Sequence, residues 1–272
     1  MKYTLSLLFL FSIQIGFSQE YDTVFIEKEN IDSNNETYKI GNVYLFNYEI
    51  IERGQKFKLL NNKGIGINRV FELVPYMADT VKIDQIHLIV SPVEAADRTN
   101  ENQTQISYFE APFFNSFSST GVVDNDQNVW IHPIRNGFFN ALETCPFPFV
   151  KLPLKVGATW NDAMIIGEGW GDEKWGTWEG KLLLNYDYTI TEKVTLETDI
   201  GPVVCYVVES TAESTIGLTK LKSYFSKEYG FVRLEYDLIN DLKVNLWIVD
   251  FKTGMEFNDT RTFFRTKEYI KQ

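Results

Sequence analysis

The chain has 272 residues, with 26 Lys and Arg against 37 Asp and Glu, a formal charge of −11, two His and two Cys. Hydrophobic residues make up 44%, aromatics 15% and charged residues 23%, which excludes a disordered chain, a collagen-like repeat and a Cys-rich miniprotein. An acidic chain without basic blocks also argues against nucleic-acid binding, because neutralising phosphates needs clustered Lys and Arg.

Residues 1–18 read as a secretory signal. Lys2 supplies the positive start, Leu7 to Ile15 an apolar core, and Gly16 and Ser18 the small residues before a cut between Ser18 and Gln19. The apolar run is too short for an ordinary spanning helix, which needs about 20 residues. No Cys adjoins the cut, so a lipid anchor is not expected, and no later segment is apolar enough to span a bilayer. The expected location is periplasmic or secreted. In that oxidising setting Cys145 and Cys205 could pair. Closing their loop would add roughly 4 kcal/mol in the chain-entropy model. Two separately buried thiols are the alternative, which the apolar context of Cys205 in VVCYVV favours.

The following segments are punctuated like strands. In VYLFNYEI, Tyr44, Phe46, Tyr48 and Ile50 share one face, a period of two. FKLL and IGINRVFELV read as a hairpin turning at Asn61 to Gly64. Val81 to Val90 is the next strand, and the polar stretch Glu94 to Gln105 reads as a loop or an internal boundary. GVV, DNDQN and VWI form a second hairpin between Gly121 and Ile131. Pro146, Pro148 and Pro153 then break the rhythm, with a short helical turn at Phe138 to Glu143. From Thr177 a meander follows: TWEGKLLLNYDYTI, KVTLET, PVVCYVVESTAES, LTKLKSYFS, GFVRLEYDLI and LKVNLWIVDF. β-branched and aromatic residues dominate these runs. The expected fold is all-β with minor helix, a strongly curved antiparallel sheet forming a half-barrel or partial barrel. Residues 19–105 are expected to form an N-terminal β region within the same globular unit as a meander over 106–272.

Catalytic signatures are missing. GIGINR from Gly64 and GEGWGD from Gly167 each lack the third Gly of a dinucleotide fingerprint, so no cofactor is expected. DNDQNV from Asp124 imitates half a calcium loop, but Val129 replaces the turn Gly and Arg135 the bidentate Glu; no metal is expected. His132 is a weak candidate, since a lone strand His is usually structural. The densest feature is GEGWGDEKWGTWEG. Trp170, Trp175 and Trp178 could stack on sugar rings while Asp172, Glu173 and Glu179 accept hydroxyl hydrogen bonds. The plainer reading is a Gly-rich turn whose Trp residues cover the end of the sheet. Phe147 and Phe149, alternating with Pro, form either a ligand lip or a buried segment that closes the sheet.

VWIHPIR (Val129–Arg135), CPFPFVKLPLKVGATW (Cys145–Trp160), GWGDEKWGTWEG (Gly169–Gly180) and TKLKSYFSKEYGFVRLEYDLI (Thr219–Ile239) together resemble uncharacterised secreted proteins of Gram-negative bacteria. The phrases within Phe147–Trp160 and Tyr224–Tyr236 also resemble half-barrel envelope domains of the lipoprotein-carrier type. That similarity spans roughly residues 120–250 and implies a curved sheet with an apolar cleft, but transfers no site residue. The expected activity is non-enzymatic binding of an apolar or amphipathic ligand, such as a lipid, or of an envelope protein. The rival is a carbohydrate-binding or glycan-active protein built on Trp170 to Glu179.

Overall fold

The computed structural model describes residues 36–63, 70–93, 96, 104–112 and 117–256. Among these lie fourteen strands: β1 (Val43–Glu52), β2 (Gln55–Lys63), β3 (Val70–Pro75), β4 (Gln85–Pro92), β5 (Thr104–Ala111), β6 (Phe117–Asp124), β7 (Asn128–Ile131), β8 (Phe149–Lys151), β9 (Thr159–Gly167), β10 (Lys181–Thr198), β11 (Gly201–Ser214), β12 (Gly217–Ser226), β13 (Gly230–Asp237) and β14 (Leu242–Lys252). They form one antiparallel sheet in the order β8-β7-β6-β5-β4-β1-β14-β13-β12-β11-β10-β9, with β2 and β3 as a side hairpin. The sheet is nearly closed into a barrel. The fold is therefore all-β and strongly curved, as the period-two stretches imply.

The alternation builds the core directly. Tyr44, Phe46, Tyr48 and Ile50 of β1 and Leu182, Leu184, Tyr186, Tyr188 and Ile190 of β10 all point inward and are buried. β1 pairs with β14 over Val43–Glu52 and with β4 over Val43–Asn47, so it stitches the first strands to the last. Residue 105 falls inside the β4–β5 pairing, where Ser91 lies opposite Gln105.

The barrel is not hollow. A 3-10 segment, Gly137–Thr144, enters it and buries Phe138, Phe139, Ala141 and Leu142 completely. Phe147 and Phe149 follow it inside at 0% exposure. The prolines that flank them remove backbone donors and keep β8 to three residues. The two ends of the sheet, β8 and β9, are not hydrogen-bonded to each other. Side chains bridge this seam instead. Phe149 meets Trp160 of β9 edge-on at 5.6 Å, and Trp160 stacks on Tyr188 at 5.3 Å.

Several expectations are corrected. β2 continues to Lys63, so the β2–β3 turn is not at Asn61–Gly64, and the connection lies outside the described residues. β4 begins at Gln85 rather than Val81; Ile83 instead donates its N–H to Leu59 O at 2.8 Å. Neither β5 nor β9 is among the strands expected, and β5 takes in Thr104 and Gln105 from the stretch read as a loop. KVTLET is not a separate strand but the end of β10, joined through a bulge at Thr191. Cys145 and Cys205, by contrast, are free and buried, the alternative that the apolar context of Cys205 favours over a bridge. Cys145 ends the 3-10 segment, whereas Cys205 sits in β11 with its Sγ 3.6 Å from Val203 O. Residues 1–18, with the expected signal and cut, lie outside the described residues, as does most of Glu94–Gln105.

The bulge has a further effect. Before it, even-numbered residues of β10 face the interior. After it, Glu192, Val194 and Leu196 pair with Val207, Cys205 and Val203, which alternate out of phase with inward Val208. The β10–β11 hairpin therefore becomes an arm that buries its outer face. Its tip, Leu196 to Asp199, shares a cavity with Val232, Arg233 and Trp247, so it arches back over the outside of β13 and β14.

Candidate functional site

The sequence candidates separate into two groups. Trp175 is entirely buried; its indole N–H donates to Trp170 O at 2.9 Å and its ring meets Phe138 edge-on at 5.7 Å. Asp172 is occupied within its own turn, where its carboxylate accepts the Lys174 N–H at 3.0 Å and its backbone bridges to Gly176. Gly176, at φ +112°, lies against Ile216 and Ile239; a Cβ there would come within 3.0 Å of the Ile239 side chain. Trp178 is half-buried, while Glu173 and Glu179 are exposed. Gly167–Gly180 is thus a plug over one end of the barrel. A fully buried Trp175 offers no face to a sugar.

His132 and Trp170, by contrast, flank one buried cluster. The segment after β7 carries His132 and Arg135, and the 3-10 segment carries Glu143. Arg135 Nε lies 3.2 Å from Glu143 Oε1, a contact without hydrogen-bond alignment that becomes an ion pair when the carboxyl ionises. The guanidinium sits 4.9 Å above the Trp170 ring. His132 Nδ1 is 3.0 Å from Pro133 O and 3.6 Å from Glu143 Oε1. A carbonyl only accepts, so Nδ1 carries the proton. Burial pushes Glu143 up to about 7, against the pull of Arg135. Burial likewise pushes His132 down to about 4, with the Pro133 carbonyl opposing it. Two more buried oxygens here, Tyr186 Oη and Tyr236 Oη, have no hydrogen-bond partner.

The calcium-like loop is used structurally. Asn125 Oδ1 accepts the Gln127 and Asn128 N–H groups, and Asp124 accepts those of Thr37 and Tyr38, all at 2.9 Å. Among the described residues there is no group of three or more His, Cys, Asp or Glu suited to a metal. No described helix is long and apolar enough to cross a membrane.

A second candidate, absent from the sequence reading, lies outside the barrel. The outward face of β10–β14 holds a groove of about 780 Å3. Register explains its lining. One rung across the five strands reads Asp187, Thr211, Lys220, Asp237, Lys243; the next reads Thr189, Glu209, Lys222, Glu235, Asn245 and continues to Glu49 on β1. Acids and bases alternate, and several are ion-paired: Lys243–Asp237 at 3.4 Å, Lys222–Glu209 at 3.7 Å and, with a neighbour outside the groove, Glu235–Arg233 at 2.6 Å. Asn245 also lines a neighbouring cavity of about 510 Å3, walled by Trp247, Tyr76 and the tip of the arm.

No protein-family model and no curated protein matches the chain. Solved structures do. A candidate lipoprotein from Parabacteroides distasonis is 11% identical with a TM-score of 0.42, covering 79% of this chain and 97% of that one. The hypothetical lipoprotein YmcC from Escherichia coli is 10% identical with a TM-score of 0.36, covering 83% and 89%. A candidate exported protein with a YmcC-like fold from Bacteroides fragilis is 10% identical with a TM-score of 0.43, covering 81% and 98%.

Proposed function

We propose that this is an exported, non-enzymatic binding protein whose working surface is the outward groove of β10–β14. We further propose that it takes a neutral, hydroxyl-rich chain, a glycan, rather than an apolar guest. Support for export comes from the signal-like Met1–Ser18. Support for the groove comes from its lining: four carboxylates, Asp187, Glu209, Glu235 and Asp237, alternate with three lysines, Lys220, Lys222 and Lys243. A self-neutralised lining gains little from an ionic ligand, which would have to break existing pairs, but offers many donors and acceptors to hydroxyl groups. Trp247 and Tyr76 add ring faces at the adjoining end. The apolar-ligand version finds less support, because the concave side of the sheet is occupied by Phe138, Phe139, Phe147, Phe149 and Trp175.

Isothermal titration of the chain beginning at Gln19 against a panel of neutral oligosaccharides tests the reading. Wild type should bind at least one, and Trp247→Ala should weaken that binding about tenfold, the loss of one stacking contact of roughly 1–1.5 kcal/mol. Trp170→Ala should leave it unchanged. A wild-type chain that binds none of the panel removes the glycan assignment.

A further inference from the structure

The seam between β8 and β9 has the features of a door. The strands on either side share no backbone hydrogen bond, so beyond the short link of residues 152–158 that joins them the barrel is shut there by side chains. Phe149 and Trp160 close one end at 5.6 Å; Arg135 over Trp170 closes the other at 4.9 Å. Arg135 is also anchored to the β6 side, where its N–H donates to Ser118 Oγ at 3.4 Å. Directly behind this bar lie Glu143 and His132, at 1% and 7% exposure.

We propose that this seam is a lateral gate, barred by Arg135 on Trp170, and that opening it hydrates the two ionisable side chains buried behind it, Glu143 and His132.

What lies behind the bar favours water. Glu143 Oε1, Tyr186 Oη and Tyr236 Oη are all buried without a hydrogen-bond partner, and each would gain one on hydration. Every element packed there contributes a titratable or charged group. Tyr186 and Tyr188 come from β10, Tyr236 from β13, Tyr108 from β5, Asp162 from β9 and Cys145 from the end of the 3-10 segment. Burial raises the phenols and the Cys145 thiol, which keeps them protonated at neutral pH. Glu143 and His132 are different. Shut, the acid holds its proton up to about 7 and the imidazole stays neutral down to about 4. Open and hydrated, they return toward ordinary values near 4.3 and 6.5, so between them the couple is charged. Closing therefore moves one proton from His132 to Glu143 without net uptake. The two linkages have opposite signs. Rising pH weakens closure through Glu143 and strengthens it through His132 over nearly the same range. The wild-type gate is consequently insensitive to pH, and removing either partner exposes the other.

Hydrogen exchange of residues 159–170 in the chain beginning at Gln19, corrected for intrinsic rates, reads the gate, with residues 217–226 as the reference. In wild type, 159–170 should exchange at least about tenfold faster than the reference and vary less than about threefold between pH 5 and 7. In Glu143→Gln it should slow with rising pH, and in His132→Gln quicken, each by about tenfold or more. Arg135→Met, which keeps both Glu143 and His132 but removes the bar, should quicken it at every pH and serves if the buried variants do not fold. Equal exchange of the two regions would leave only global unfolding and overturn the gate. Flat pH profiles in both single variants, or an unchanged rate in Arg135→Met, would overturn the mechanism.

Discussion

At the scale of single residues, the same side chain type serves opposite ends. Trp247 presents part of its ring to a cavity, whereas Trp175 lies at 0% exposure with its N–H bonded and its ring against Phe138. Trp175 is the keystone of the Gly167–Gly180 plug, and that plug is short of other contacts: most of its residues are exposed or half-buried. Trp175→Ala should therefore cost about 3–5 kcal/mol, the range for emptying a well-packed aromatic site, read as a lowered urea midpoint at constant m. A loss below about 1 kcal/mol would show that the plug is dispensable.

At the scale of elements, one inserted residue decides where an entire hairpin goes. Up to Ile190, β10 has a regular inward track; Thr191 shifts the phase, and the arm's apolar face, with Cys205 in it, turns to the outside of the sheet. Burial pushes the Cys145 thiol up to about 12 and that of Cys205 up to about 11, so neither should react with an impermeant disulfide reagent in the native chain. Deleting Thr191 keeps the pairing of Ile190 with Val208 but removes the local bend. Cys205 should then become reactive while Cys145 stays protected. Equal protection of both thiols would mean that the bulge does not set the arm's course.

Such phase effects mark the limit of what the sequence discloses. Period two places β1, β6, β7 and β11 to β14 close to their observed positions, but not β5, which is buried on both faces and follows the polar stretch Glu94–Gln105. It separated KVTLET from β10 because the bulge interrupts the alternation, and it missed β9, where Asp162 shares the inward face with Trp160, Met164 and Ile166. His132 and Trp170 were visible as unusual residues, but Arg135 and Glu143 were not: their meeting depends on an aperiodic 3-10 turn. The groove was illegible for a different reason. Asp187, Lys220 and Lys243 look like ordinary solvent-facing positions until the register of five strands aligns them.

At the scale of the molecule, connectivity matters more than chain order. The strand nearest the described N-terminus, β1, is hydrogen-bonded on one side to β14 and on the other to β4, so no cut through the sheet separates an early half from a late one. The β4–β5 hairpin carries the sheet across residue 105 with eight paired positions, Gln85↔Ala111 to Pro92↔Thr104. The main buried core likewise runs without a break from Tyr38 to Ile248 and includes the 3-10 segment that threads the interior. Loss of β1 would expose two strand edges at once and strip the core of Tyr44, Phe46, Tyr48 and Ile50. Unfolding of either half should therefore drag the other with it. Calorimetry of the chain beginning at Gln19 should give one transition, with calorimetric and van't Hoff enthalpies in agreement. Nicking within residues 97–103, a connection between paired strands, should lower the midpoint but leave the two fragments associated and the transition single. Two resolved transitions, or fragments that part without denaturant, would mean that the first strands form a unit of their own and that β1 adheres to the barrel without being part of its cooperative core.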